Sequence, residues 1–127
     1  EMIYGVGTDI VAVARIQKMY ADYGAALARR VLSEQEWGNW VEQDDAARFL
    51  AKRFAAKEAF AKAVGTGIRP PVSFRHISVC HDALGKPEFV CAPELQVWLS
   101  QRGITRVHLS LSDERDYVVA FALAQSD

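Results

Sequence analysis

Apolar and polar positions change their period several times along the chain, and each change marks an element. Residues 3–13 (IYGVGTDIVAV) are rich in β-branched side chains and read as a strand that ends near Asp9 or just beyond. On a two-residue period Gly5, Gly7 and Asp9 share one strand face. Glycines inside a strand mark a place where another backbone or a ligand comes close. Residues 14–31 have helical spacing, broken around Gly24, and Ser33 with Glu36 forms a capping box opening a short helix through Trp37 and Trp40. A long helix follows from about Asp45 to Val64, with Gly65 as its stop. Residues 74–81 and 87–91 read as strands joined by a turn at DALGK. Pro93 and Gly103 bound another helix. The segments RVHLSLS and YVVAFALA, joined by the charged DERD, predict an antiparallel hairpin. The pattern is α+β: helices packed on a largely antiparallel sheet.

The long helix mixes its periods. On a wheel of 100° per residue, Phe49, Phe60 and Val64 cluster on one side, with Leu50 and Phe54 further round. Arg53 and Lys57 fall between these two groups, and Glu58 falls near Ala51, Ala55 and Lys62. The charges form no separate solvent face, so they require partners. One reading is structural: cations that snorkel, and a Glu58–Lys62 pair one turn apart. The other is a ligand site, in which small alanines let a ligand approach and Lys57, Lys62 and the Gly65–Thr66–Gly67 turn cradle phosphate. That turn follows the helix, so the helix dipole gives an anion no help there, and the motif is neither a Walker loop nor a dinucleotide fingerprint. Asp9 likewise has two readings, as the N-cap of the next helix or as half of a hard-cation site with Glu58.

Composition narrows the picture. A chain of 127 residues is most economically one domain, 1–127, large enough to bury a core. A net charge of −1 gives no basic footprint for nucleic acid. No run approaches a membrane span, no secretory leader is evident, and a cytoplasmic protein is expected. Cys80 and Cys91 fall on opposite arms of the predicted hairpin. Two buried, reduced thiols are expected there, with a bridge as the alternative. His76, His81 and His108 lack metal-ligand spacing, and the three tryptophans read as packing residues. His108, Ser110 and Ser112 share one strand face, either as a polar ligand contact or as an ordinary solvent face.

GVGTDIVAVARI followed by RFAAKEAFAKAVGTGI resembles the holo-acyl-carrier-protein synthases, the small bacterial phosphopantetheinyl transferases. The resemblance runs from Met2 through the final strand and includes GKPEF at 85–89 and the SLS strand. It implies a single 4′-phosphopantetheinyl transferase-like domain that moves 4′-phosphopantetheine from coenzyme A to a serine of an apo acyl carrier protein and releases 3′,5′-ADP. It further implies magnesium held by Asp9 and Glu58 against the coenzyme A diphosphate. Arg53, Lys57, Lys62 and Gly65, Thr66 and Gly67 would lie along the coenzyme. A homotrimer is implied, with His108 and Ser110 serving a neighbour's site, and an acidic carrier docking on Arg15 and Lys18. Glu58 is the candidate base. Many members of the family have a histidine where this chain has Asp113, and Asp22 interrupts the basic docking helix. The alternatives are a non-catalytic coenzyme A or nucleotide-binding module, and a scaffold that holds an acidic protein through residues 15–30.

Overall fold

The computed structural model describes residues 2–40 and 43–127. In chain order the elements are β1 (Met2–Ala12), α1 (Val13–Tyr23), α2 (Ala25–Val31), α3 (Glu34–Trp40), α4 (Ala46–Ala63), β2 (Ile77–His81), β3 (Pro87–Cys91), α5 (Pro93–Gln101), β4 (Ile104–Asp113) and β5 (Tyr117–Ser126). The strands make two antiparallel sheets, one of three strands in the order β1-β5-β4 and one formed by the β2-β3 hairpin. The first predicted hairpin strand is shorter than the sequence pattern suggests. A turn in which His76 N–H donates to the Ser73 carbonyl precedes Ile77. At the hairpin tip, Asp82 Oδ1 accepts the N–H groups of Leu84 and Lys86. No helix among the described residues is long and apolar enough to cross a membrane.

Helix α4 lies on the three-stranded sheet. The Asp45 carboxylate caps its first turn by accepting the Arg48 N–H at 3.0 Å. Ala51, Ala55, Ala56, Ala59, Ala61 and Phe60 are fully buried, and so is the covered sheet face of Val118, Ala120, Ala122 and Ala124. Short side chains on both surfaces let the backbones come close, and at β1 nothing separates them. A Cβ added to Gly7 would overlap the Ala59 carbonyl oxygen and lie 2.7 Å from Ala63 N, and one added to Gly5 would overlap the Ala63 carbonyl. The strand glycines thus mark an approach of helix backbone. Asp9, two residues on, pairs across from Ala120 on this same face. It does not cap α1, because β1 continues to Ala12 and no side chain caps α1.

Two cations of α4 turn away from that sheet, and one carboxylate holds both. Lys57 is 0% exposed, and its ammonium donates to Glu36 Oε1 at 2.5 Å, the Val31 carbonyl at 2.7 Å and the Phe74 carbonyl at 2.9 Å. Arg53, 4% exposed, sets Nε 3.0 Å from Glu36 Oε2, though not aligned as a hydrogen bond, and stacks its guanidinium over Phe49. Glu36 also accepts the Ser33 and Val79 N–H groups. The Ser33 half of the predicted capping box points elsewhere, its hydroxyl bonding Ser78 Oγ at 2.6 Å. One carboxylate therefore ties α3, α4 and β2 together.

The cysteines are free and half-buried. Cys91 pairs with Ile77 and Cys80 with Glu88, so they lie three residues apart along the ladder, about 10 Å, beyond disulfide reach. Burial pushes the Cys91 thiol up to about 12.

Three substitutions test this packing. Gly7→Ala should destabilise by ~1–3 kcal/mol or more, because helix and strand must separate. Gly38→Ala, in α3 with open space around it, should stabilise by ~0.5–1 kcal/mol; urea midpoints read both. Glu36→Ala leaves two buried cations without their carboxylate and should cost about 3–5 kcal/mol. Titration of Lys57 offers a separate check. Burial lowers its ammonium from 10.5 to about 8, with Glu36 opposing the shift. Between those values the unfolded chain binds more protons than the folded one, so stability rises with pH. The wild-type chain should therefore gain stability relative to Lys57→Met as pH is raised from about 8 to about 10. A constant difference across that window would show that Lys57 keeps its proton.

Candidate active site

At the C-terminal part of β1 the close strand–helix approach brings Asp9 and Glu58 within electrostatic reach. The half-buried Glu58 carboxyl is held above its ordinary value, first by burial and then by the negative charge of Asp9. Lys62 and Arg15 oppose that rise, which places a cation from α4 and one from α1 around the same carboxyl. Lys62 reaches back to β1, donating to the Thr8 carbonyl at 2.8 Å and standing 3.2 Å from Asp9 Oδ1. It pairs with Asp9 across the two elements and leaves the expected Glu58–Lys62 helix pair unformed. The other Asp9 oxygen, Oδ2, is buried and has no hydrogen-bond partner among the described residues. A buried carboxylate oxygen without a partner is costly, and a cation satisfies it.

The donor set suits a hard divalent ion. Among the described residues no three or more His, Cys, Asp or Glu side chains converge. Asp9 and Glu58 would supply two carboxylates. Magnesium takes about six oxygens and fills the balance from water and substrate phosphate. Lys62 remains half exposed beside the pair and free to meet such a phosphate.

The structure places other expected site residues differently. Lys57 and Arg53 are held by Glu36 on a different side of α4, so the expectation that they lie along the coenzyme is corrected: Lys57 has no exposed surface and all its donors are used. The backbone cradle is corrected too. The N–H groups of Gly65, Thr66 and Gly67 all donate to the Ala61 carbonyl, closing α4. Positive φ at Gly65 and Gly67 makes this wrapped end possible. Thr66 Oγ1 donates to the Gly67 carbonyl at 2.7 Å.

His108 and Ser110 lie on the sheet face opposite Asp9. Ser110 pairs with Phe121, and His108 Nε2 lies 2.8 Å from Gln125 Oε1. The chain does not bring them to its own Asp9–Glu58 pair. Arg15 and Lys18 are exposed on α1. Asp113 gathers Arg48 at 2.5 Å and Lys52 at 2.8 Å, and Arg48 also donates to the Glu114 and Arg115 carbonyls. Asp113 thereby pins the β4–β5 turn to the first turns of α4. Sequence reasoning missed both this latch and Glu36. The available signal for Glu36 was a helix with two cations among core positions and an acid in a neighbouring helix start.

Comparison with known proteins identifies the family. A model of the 4′-phosphopantetheinyl transferase superfamily matches residues 5–122. The chain is 57% identical over 124 residues to the holo-[acyl-carrier-protein] synthase of Neisseria meningitidis serogroup A, covering 98% of this chain and 99% of that relative. The crystal structure of holo-[acyl-carrier-protein] synthase from Neisseria meningitidis matches at a TM-score of 0.96 and 55% identity, over 98% of this chain and 100% of that one. A second, from Bacillus anthracis in complex with CoA (3′,5′-ADP), matches at 0.81 and 36% identity over 100% of both chains. Over nearly its whole length, in sequence and in fold, the chain belongs to the holo-[acyl-carrier-protein] synthases of the 4′-phosphopantetheinyl transferase superfamily.

Proposed function

We propose that the chain, acting as one domain in the cytoplasm, transfers 4′-phosphopantetheine from coenzyme A to a serine of an apo acyl carrier protein and so supports fatty acid biosynthesis. The observation that carries this reading is the Asp9–Glu58 pair with Lys62 beside it and one buried Asp9 oxygen lacking a partner. The serine oxygen forms a bond to the phosphorus that bears the pantetheine arm. The bond from that phosphorus to the bridging oxygen breaks, and 3′,5′-ADP leaves with the electron pair. Asp9 and Glu58 would hold magnesium, which neutralises charge developing on the diphosphate. Lys62 orients Asp9 and faces the same anion. Glu58 takes the serine proton, and its raised pKa moves it toward the range where a base works near neutral pH.

Arg15 and Lys18 are exposed on α1, and the charge of Arg15 is felt at Glu58. An acidic carrier docked there would present its serine beside the catalytic pair. The open face of the three-stranded sheet supports a homotrimer. Ile10 is 64% exposed, Val119 37% and Phe121 40%, all on the face that also carries His108 and Ser110. An apolar face of this kind favours burial against another copy, and burial there would hand His108 and Ser110 to a neighbour's site.

Intact mass of an apo acyl carrier protein incubated with the chain, coenzyme A and magnesium should rise by one phosphopantetheine, and chelator should prevent it. Asp9→Asn and Glu58→Gln should each slow transfer by ~100-fold or more with the melting temperature retained. Unfolding of both variants would instead assign the pair a structural role. Coenzyme A binding without mass gain on any carrier would leave a binding module. Phe121→Arg should dissociate the assembly in sedimentation velocity and reduce transfer with it.

A further inference from the structure

A cavity of about 700 Å³ opens between the α2–α3 segment and the β2–β3 hairpin. None of Asp9, Glu58 or Lys62 lines it. Its volume falls within the range of small-molecule sites. Leu32, Trp37, Val90 and Pro93 give it an apolar wall, and Arg29 and Arg75 stand at its margin as exposed cations.

Its polar floor is formed by Ser33 and Ser78, each only 5% exposed, whose hydroxyls bond each other at 2.6 Å. Two hydroxyls carry two protons, and their mutual bond uses one. Neither oxygen has another acceptor among the described residues, so one O–H remains as a buried donor on the cavity floor. Directly behind that floor, Glu36 binds the Ser33 and Val79 N–H groups and faces two buried cations, Arg53 and Lys57, which leaves one positive charge in excess. Among the charged groups lining the cavity, Glu34 is the single acid against Arg29 and Arg75, and it is exposed. His76, also in the lining, is occupied by Ser73 Oγ at 2.7 Å and faces Glu94 at 3.4 Å. A spare donor, two marginal arginines and an uncompensated charge behind the floor all favour an anion, and the tryptophan-lined wall favours an apolar body attached to it.

We infer that this cavity is a second binding site, separate from the transfer site, for an amphipathic carboxylate such as a medium-chain fatty acid. The head accepts from the Ser33–Ser78 pair and Arg75, and the tail lies along Trp37 and Val90.

The test is calorimetric titration of the assembled protein with decanoate below its micelle limit, with tryptophan fluorescence as a second readout. Decanol and decyltrimethylammonium serve as neutral and cationic controls. Saturable binding of decanoate, weaker by ~10-fold or more in Arg75→Gln and absent for the cationic control, is the expected result. Ala92→Trp, which fills the cavity beside Pro93, should abolish binding while leaving coenzyme A binding intact. Absence of saturable decanoate binding would overturn the inference. So would equal affinity for decanol, insensitivity to Arg75→Gln, or displacement of decanoate by coenzyme A, which would place the probe in the transfer site.

Discussion

The backbone of α4 rests on β1 with no side chain between them at Gly7, and the rest of the molecule is arranged around that approach. A helix and a strand normally stand apart by the depth of their side chains. Here a glycine on the strand and alanines on the helix remove that depth, and Asp9 comes within electrostatic reach of Glu58 because of it. One Asp9 oxygen is left without a partner, and the Glu58 carboxyl is raised chiefly by burial. Packing and chemistry are therefore the same constraint: a methyl group at Gly7 would loosen the core and separate the two acids.

A helix so tightly apposed to a sheet must also be fixed in rotation, or Glu58 would not face β1. Glu36 supplies that. It grips Lys57 and Arg53 from the other side of α4 while anchoring itself to the Ser33 and Val79 backbone. Lys57 precedes Glu58 in sequence, so holding one side chain against α3 sets the direction of the next. Asp113 acts on the same helix nearer its start, through Arg48 and Lys52. These surface-facing contacts are screened by water and individually weak, whereas the Glu36 cluster is buried and strongly coupled.

The element order and the two antiparallel hairpins were legible from periodicity, whereas the seating of β1 beside β5 and the separation into two sheets were not, because they depend on contacts distant in sequence. The close approach at Gly5 and Gly7 was legible, because a strand loses packing at a glycine and keeps one where another backbone or a ligand takes the space. The need of Arg53 and Lys57 for partners was legible as well, since neither fell on a solvent face. Their partner was not. Glu36 lies on another helix, and its spacing from Ser33 fits a capping box whether or not its carboxylate also reaches α4. Local sequence cannot separate the two roles when the second depends on tertiary packing. For the same reason the Gly65–Gly67 turn suggested phosphate: glycines that free N–H groups and glycines that let a helix wrap its end look alike in sequence. The positive φ angles and the shared Ala61 acceptor distinguish them.

The two faces of the three-stranded sheet carry different parts of the candidate chemistry. Asp9 faces α4, whereas His108 and Ser110 look outward among Ile10, Val119 and Phe121. Strand geometry forbids residues of opposite parity on one strand from serving one face, and β4 places Leu109 and Leu111 in the core. His108 and Ser110 can therefore join an Asp9–Glu58 pair only if it belongs to another copy. That requirement follows from the pleat itself. It gives the exposed apolar side chains of this face a reason beyond solubility in the proposed assembly, where a second copy would both cover them and receive His108 and Ser110.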